Sequence, residues 1–151
     1  MTQCRNTTRL GGPAPSIGLF ADVGDLAHGP VKLRLQGRYH CHDVDRPFYK
    51  FDILTAETDA AIGEITFMPD TDLSRIASVG HAGGELAEAS RGQGIFGSAL
   101  RALAPLAGRH GLSQLMLVIP EDNTPAIKGA EKLELTRVES QDQHARFMVN
   151  V

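Results

Sequence analysis

The hydrophobic pattern of this chain changes its period at one glycine-rich segment, residues 91–98, which reads RGQGIFGS. Upstream of it, apolar and polar residues alternate as they do in half-buried strands. Downstream, apolar residues recur at helical spacing as far as His110. Glycines at such a junction let the backbone approach a ligand, and the first free N–H groups of the helix point outward. The segment therefore predicts a strand-to-helix turn that binds a phosphate or a pyrophosphate.

The pattern on either side of this turn gives the order four strands, helix, strand, helix, two strands, which indicates an α/β protein of the α+β kind with a mixed sheet. Strands are expected from residue 31, at 47–54, at 61–67, in the glycine-rich segment 79–88, and at 114–119, 133–140 and 144–151. The segment 79–88 is expected to contain a bulge or a close backbone approach. Helices are expected at 94–110, bent at Pro105, and from Asn123 or Thr124 to about Leu133.

Length and composition limit the domain count and the classes of partner. Residues 1–29 are expected to form a tail with a short ordered piece, a helical turn near 22–27, and residues 30–151 to form one domain. A formal charge of -3 gives no general attraction to nucleic acid or to a membrane surface. No apolar run is long enough to span a membrane, and two cysteines make no disulfide framework. We therefore expect reduced thiols and a cytoplasmic location.

The spacing Gly92-x-Gly94-x-x-Gly97 also matches the dinucleotide fingerprint of Rossmann folds, which would predict NAD binding. A Rossmann turn follows directly on an apolar strand, whereas residues 88–91 intervene here. It also needs further strand–helix–strand units, and only 54 residues follow Gly97. This context disfavours the Rossmann interpretation.

Two motifs in residues 31–151 resemble the GNAT acyltransferase superfamily. The cofactor signature of that family is matched at residues 91–95, and Phe96 departs from it. The segment 123–135, NTPAIKGAEKLEL, is similar to a second family motif and matches it in register at Asn123, Ala126, Ile127, Glu131, Lys132 and Leu133. Ala130 stands where many members have a tyrosine that protonates the leaving thiolate, and Glu134 stands where they have glycine. The middle strands of this chain resemble those of one branch of the family, in which they read GHIGYEI followed by YRG.

The resemblance implies a GNAT fold and acetyl-coenzyme A as co-substrate. The two helices that usually follow the first strand would be reduced or absent, because the segment GRYHCHDVDR is too short for both. By residue match, the cofactor would be bound by the strand before the signature, by the signature turn and by one residue across the cleft. These residues are Gly84, Glu85, Leu86, Arg91, Gly92, Gln93, Gly94, Ile95, Phe96, Gly97, Ser98 and Asn123. Asn123 is alternatively an ordinary helix cap.

The implied reaction is direct attack of an amine, from a small molecule or a protein, on the thioester. A group near the thioester must then take a proton, and Glu85 is the first candidate, followed by Glu64 and His81. The alternative is that these strand carboxylates are simply solvated. Because Ala130 and Phe96 depart from the family, the rival function is a GNAT-like module that binds coenzyme A or a partner without transferase activity.

Two further expectations concern metals and assembly. His40 and His42 would share one face of a strand and Cys41 the other, so the three cannot form one metal site, and no metal is expected. Exposed strand edges in such folds often pair across a dimer, which makes a homodimer the expected form of any self-association.

Overall fold

The structure is a computed structural model that describes residues 4–10, 21–133, 135–141 and 143–151. Glu134, one of the two departures in the second motif, lies outside the described residues. The strands are β1 Thr7–Leu10, β2 Leu26–His28, β3 Val31–Cys41, β4 Arg46–Thr55, β5 Ala61–Phe67, β6 Ala82–Leu86, β7 Gln114–Pro120, β8 Thr136–Gln141 and β9 His144–Asn150. The helices are α1 Leu73–Ile76, α2 Ile95–Ala102, α3 Ala104–Arg109 and α4 Thr124–Lys132.

Two antiparallel sheets form the framework of the molecule. The larger sheet has the order β1-β3-β4-β5-β6, with β2 also paired to β3, and the smaller sheet has the order β7-β9-β8. The sheets meet through an isolated bridge between Gly80 and Leu117. This arrangement confirms the predicted α+β fold class. The strands of the described residues pair antiparallel in two sheets, where one mixed sheet was expected.

The main core lies between one face of these sheets and the helices α2 and α3. Tyr49, Phe51, Ile65 and Phe67 of the larger sheet are fully buried there, and they belong to one apolar cluster with Leu100. They alternate along their strands with polar residues because successive side chains of a strand point to opposite faces. Burial of this alternating set is what orients β4 and β5.

The opposite face of the larger sheet carries charged and polar side chains. Arg34, Asp52, Glu64 and Glu85 lie directly opposite one another on β3, β4, β5 and β6. Residues paired in this way project to the same face, so they form one row across the sheet. This polar row runs from the first central strand to the strand that precedes the glycine-rich turn.

The predicted helix 94–110 is divided at Leu103 into α2 and α3, and Pro105 occupies the first turn of α3. A proline is tolerated there because the first turn has no intrahelical partner for its missing N–H. The bend was predicted at Pro105, and the helix is instead interrupted at Leu103, two residues before it. None of the helices in the described residues has the length and apolar character needed to cross a membrane.

Between β3 and β4 the chain makes only a turn at residues 42–45, so no helix separates these strands, as expected. The helical turn predicted near 22–27 is wrong. Residues 21–25 have no regular structure, and Leu26–His28 pairs with β3 as β2. Hydrogen bonding to an available strand edge therefore outweighs the weak local pattern of this segment.

The prediction of two reduced thiols is also wrong, because Cys4 and Cys41 form a disulfide. Cys41 is the last residue of β3 and is fully buried, and Cys4 precedes β1. Thr7 pairs with Cys41, so the antiparallel register brings the two cysteines together although they are 37 residues apart in sequence. The disulfide fastens the N-terminal strand to the edge of the larger sheet.

We expect Cys4→Ser to lower the free energy of unfolding by about 3–4 kcal/mol, because a loop of this length loses much of its closure entropy when it is cross-linked in the unfolded chain. Urea unfolding with and without a reductant measures the effect. The variant should be insensitive to reductant, whereas the parent protein should lose the same stability when it is reduced. Two titratable thiols in the native parent protein would contradict the disulfide.

Candidate functional site

The two sheets separate immediately beyond their junction. The His81 N–H donates to Met116 O at 2.8 Å, next to the Gly80–Leu117 bridge, and no strand of the described residues pairs with the outer edge of β6. Among the described residues, no ladder hydrogen bonds join residues 84–86 to β7, so the outer edge of β6 is unpaired there. A cleft beside the strand before the signature stays what the family resemblance implies.

The side chain of His81 holds this junction together. Its Nδ1 accepts a hydrogen bond from the Met116 N–H at 2.8 Å, and its Nε2 donates to Asp70 O at 2.8 Å. His81 is 1% exposed, and burial lowers its pKa from the usual value of 6.5. Only the neutral ring with the proton on Nε2 satisfies both contacts. Neither ring nitrogen is open to a substrate, so His81 serves the structure of the junction.

The glycine-rich turn connects β6 to α2. Gly92 and Gly94 have φ angles of 76° and 74°, a region that favours glycine, and a Cβ at either position would meet no atom within 4 Å. Gly94 is the N-cap of α2 and provides no side-chain cap. Among the described residues, the N–H groups of Gly92, Gln93 and Gly94 have no hydrogen-bond acceptor. Open space beside free N–H groups at a helix N-terminus suits an anionic ligand.

Two polar side chains of the turn fold back onto the chain that precedes it. Arg91 Nε donates to Leu86 O at 3.1 Å, and Gln93 Nε2 donates to Ala89 O at 3.0 Å. Both side chains are exposed, so these contacts leave them accessible from solvent. The contacts fix the path of the turn, and they show that neither side chain has a buried structural role.

Four predicted cofactor residues have clear packing roles. A Cβ on Gly84 would lie 2.1 Å from Glu64 O, so glycine permits the close approach of β5 and β6 predicted for this segment. A Cβ on Gly97 would lie 2.7 Å from Leu133 Cδ2, so glycine permits the end of α4 to pack on α2. Phe96 is partly buried against the main core, as is Ile95. These contacts account for the residue types without any ligand.

Two further predicted cofactor residues, Ser98 and Asn123, have backbone or capping roles at the start of a helix. Ser98 makes the first backbone hydrogen bond of α2, from its N–H to Gly94 O, and Asn123 Oδ1 accepts the Ala126 N–H at 3.3 Å as the N-cap of α4. Ala130, in the position of the family tyrosine, is buried in the main core. The role of Asn123 in cofactor binding stays a prediction, and its alternative role as a helix cap is present.

The two candidate carboxylates differ in their surroundings. Glu64 Oε1 accepts Gln36 Nε2 at 3.1 Å, and Glu64 Oε2 lies 3.4 Å from Lys50 Nζ. Glu85, directly opposite Glu64, is exposed and has no hydrogen bond or ion pair within the described part of the chain. Glu85 is therefore the carboxylate with free acceptor capacity beside the cleft.

A cavity of about 110 Å³ lies on the polar face of the larger sheet, close to the junction. We call it the sheet cavity. Its lining residues are Cys4, Thr7, Tyr39, Phe48, Lys50, Thr66, Met68, Val79, Gly80, His81 and Ala82. Sequence reasoning missed it, although the alternation of residues 47–54 already places Phe48 and Lys50 on the face opposite Tyr49 and Phe51. Residues 91–98 do not line the sheet cavity.

The histidines near Cys41 have separate partners. His40 Nε2 lies 2.8 Å from Asp45 Oδ1, and His42 Nε2 lies 2.7 Å from Thr8 Oγ1. His42 lies in the turn after β3, outside the strand that was expected to align it with His40. Both histidines therefore help to fasten the ends of β1 and β3.

Comparison with known proteins finds similarity in structure only. No protein-family model and no curated protein matches the sequence. An acetyltransferase structure from Vibrio cholerae superposes with a TM-score of 0.53 at 17% identity, covering 69% of this chain and 64% of that chain. The GNAT domain of S. lividans PAT gives a TM-score of 0.53 at 14% identity, covering 73% and 64%. The Microcin C7 self-immunity acetyltransferase MccE, solved with acetyl-CoA and AMP, gives 0.50 at 16% identity, covering 69% and 61%.

These similarities establish that the chain has the GNAT fold. At such identities they define the fold alone, and this chain spans only 64% of the length of the first two structures. The fold predicted from the two motifs is therefore confirmed. The ligand and the reaction rest on the residues of the site itself.

Burial of His81 and His110 predicts a pH-dependent stability. The pKa of each is lowered by burial, so between the usual value of 6.5 and the folded value the unfolded chain binds more protons than the folded chain. The stabilising contribution is complete above about pH 6.5 and is lost as the pH falls through the folded pKa. Urea unfolding between about pH 7 and pH 5 measures this slope. The slope should be smaller in both His81→Gln and His110→Gln, and an unchanged slope in either variant would contradict this origin.

Proposed function

We propose that the protein is an acyl-coenzyme A-dependent N-acyltransferase, with acetyl-coenzyme A as the expected donor. The observation that carries the proposal is the turn at residues 91–98. Two glycines with positive φ border open space there, beside N–H groups that have no acceptor among the described residues. A pyrophosphate fits this arrangement, because its oxygens accept from backbone N–H groups and it carries negative charge at the positive end of a helix. The GNAT fold and the acetyl-CoA complex of MccE support the same assignment.

The unpaired edge of β6 suits the rest of the ligand. Gly84, Glu85 and Leu86 lie between the sheet junction and the turn. The ladder alternation pairs the backbone of Glu85 with Glu64, so the backbone groups of Gly84 and Leu86 are the candidates to hold the pantetheine arm. The Leu86 carbonyl already accepts a hydrogen bond from Arg91. The backbone groups nearer the junction therefore remain available to the pantetheine arm. The acyl group would then lie toward the junction.

Acetyl-coenzyme A supplies the acyl group as a thioester. A neutral amine forms a bond from its nitrogen to the carbonyl carbon as the bond from that carbon to sulfur breaks. Glu85, directly or through a water molecule, accepts the proton that the nitrogen loses. Ala130 carries no hydroxyl, so the leaving thiolate takes its proton from solvent.

Isothermal titration with acetyl-coenzyme A tests the turn. Gly94→Glu should weaken binding at least tenfold, equivalent to about 1.4 kcal/mol, because a carboxylate there repels the pyrophosphate and the side chain strains the left-handed backbone. Gly94→Ala separates strain from charge and should weaken binding less.

Gly108→Glu is the matched control, because Gly108 lies in α3 with open space around it and without a positive φ. It should bind as the parent protein does. Equal affinity of Gly94→Glu and Gly108→Glu for acetyl-coenzyme A would contradict binding at the turn.

The second candidate function is a GNAT-like module that binds coenzyme A without transferring its acyl group. The buried Ala130 favours it, because this position supplies no acid for the thiolate. Release of coenzyme A thiol during incubation with a panel of amines distinguishes the two. Binding of acetyl-coenzyme A without thiol release from any amine would support the second candidate.

We expect Glu85→Gln to lower kcat/KM for an accepted amine by about 10²–10⁴, the usual contribution of a general base, with little change in the affinity for acetyl-coenzyme A. Glu64→Gln is the control, since the Glu64 carboxylate is already engaged by Gln36 and Lys50. Steady-state kinetics at saturating acetyl-coenzyme A provides the measurement. A larger loss of kcat/KM in Glu64→Gln than in Glu85→Gln would identify Glu64 as the general base.

A further inference from the structure

We propose that the sheet cavity binds the carboxylate of the acyl acceptor, with Lys50 as its counter-ion, so that the preferred acceptor is a small amino carboxylate. The inference rests on the proposed acyl transfer and names the class of substrate for it. It is carried by the charge at the rim of the cavity, by the size of the cavity and by its place on the sheet.

Lys50 is the charged side chain that lines the cavity and has spare donors. Its Nζ lies 3.4 Å from Glu64 Oε2 and 5.9 Å from the centre of the Tyr39 ring, and these are its polar contacts in the part of the chain described. An ammonium group has three donors, so at least two are free for a ligand. Glu64 is 52% exposed on its side chain, and an ion pair this open to water exchanges readily for a ligand carboxylate.

The walls of the sheet cavity limit what can follow the carboxylate. Tyr39 and Phe48 stack with their ring centres 5.5 Å apart, and Met68 and Val79 add apolar surface. Cys4, held by the disulfide, closes the cavity on the side of β1. The cavity is small, about 110 Å³, which suits a short chain behind the carboxylate.

The position of the cavity connects it to the proposed thioester. Lys50, Thr66 and Gly83 lie directly opposite one another on β4, β5 and β6, and Thr66 Oγ1 donates to Gly83 O at 3.2 Å. Two strand spacings separate Lys50 from Gly83, about 10 Å between their backbones. Gly84, the next residue, is the first of the proposed pantetheine contacts. A carboxylate bound at Lys50 therefore directs an amine a few carbons away toward the acyl group.

The far end of this path suits an amine. Glu85 lies on the same face as Gly83, two residues further along β6, and its carboxylate has no partner among the described residues. An amino carboxylate would thus meet a cation at its acid end and an anion at its amine end. This charge order discriminates against acceptors that present only one of the two groups.

Matched acceptor pairs test the proposal with the intact protein and acetyl-coenzyme A. β-Alanine is compared with β-alaninamide and γ-aminobutyrate with γ-aminobutyramide, because each pair differs in the charge of the acid end at nearly constant size. Kinetics is measured on the parent protein, Lys50→Met, Lys50→Arg and the control Lys32→Met, a lysine of the same sheet that is ion-paired with Asp59. The NMR shift of the Met68 methyl group on addition of each compound reports binding independently of turnover.

We expect the parent protein to prefer the carboxylate of each pair about tenfold or more in kcat/KM, as loss of a charged partner commonly gives. Lys50→Met should reduce this preference to about twofold or less, mainly by lowering kcat/KM for the carboxylates, and Lys50→Arg and Lys32→Met should retain it. Equal use of acid and amide by the parent protein, or a preference unchanged in Lys50→Met, would overturn the proposal.

The two readouts separate this inference from the proposed function. If neither compound is acetylated but the carboxylates shift the Met68 methyl in the parent and not in Lys50→Met, the cavity binds carboxylates and the transferase proposal fails. If the carboxylates produce no such shift, the cavity proposal is overturned whatever the protein acetylates.

Discussion

The buried imidazole of His81 joins the two sheets, and the geometry of the site depends on it. Its ring occupies the place of a ladder hydrogen bond, since Nδ1 takes the Met116 N–H that a strand partner would otherwise take. Gly80 permits this, because a Cβ there would lie 2.8 Å from Met116 O. One side chain thus satisfies a buried backbone donor and ends strand pairing at the same point. Past it, no strand of the described residues pairs with the outer edge of β6, which is the edge that we propose holds the pantetheine arm.

The buried carboxylate of Asp70 stabilises the loop that contacts this junction. The backbone oxygen of Asp70 accepts His81 Nε2, while its carboxylate lies 3.0 Å from both the Arg46 and the Arg75 guanidinium groups and also accepts the Asp72 N–H. A buried carboxylate is costly unless it is paired, so this loop adopts the conformation that keeps both arginines close. The loop in turn fixes the Asp70 carbonyl that orients His81. The turn between β5 and β6 is therefore part of the framework of the cleft.

The elements that the sequence predicts correctly are those in which local chemistry and burial agree. β4 and β5 alternate apolar and polar residues over lengths that only a half-buried strand explains, and α4 begins with Asn123 as its cap and Pro125 in its first turn. β1 reads TTRL and has no apolar alternation, so it is a strand only because the edge of β3 is free to pair with it. The disulfide follows from that pairing and cannot be inferred from two isolated cysteines.

The candidate site was predictable to the same extent. The turn at residues 91–98 carries its own conformational signal in Gly92 and Gly94, whose positive φ angles require glycine. His81 gives no such signal. A histidine in a glycine-rich segment has the same sequence context whether it transfers a proton or hydrogen-bonds to the backbone. The sheet cavity is formed by residues from five separate segments, and only their registers reveal that Lys50 and Thr66 lie in one row with Gly83.

The distribution of charge across the polar face explains why one carboxylate is left free. The row contains one cation, Arg34, and three anions, Asp52, Glu64 and Glu85. Arg34 binds Asp52 through two nitrogens, and Gln36 and Lys50 contact Glu64, whereas no cation of the described residues contacts Glu85. Like charges directly opposite each other on adjacent strands are destabilising, and Glu64 and Glu85 are such a pair. A bound ammonium group beside Glu85 would relieve that repulsion, which is the electrostatic basis of the amine acceptor that we propose.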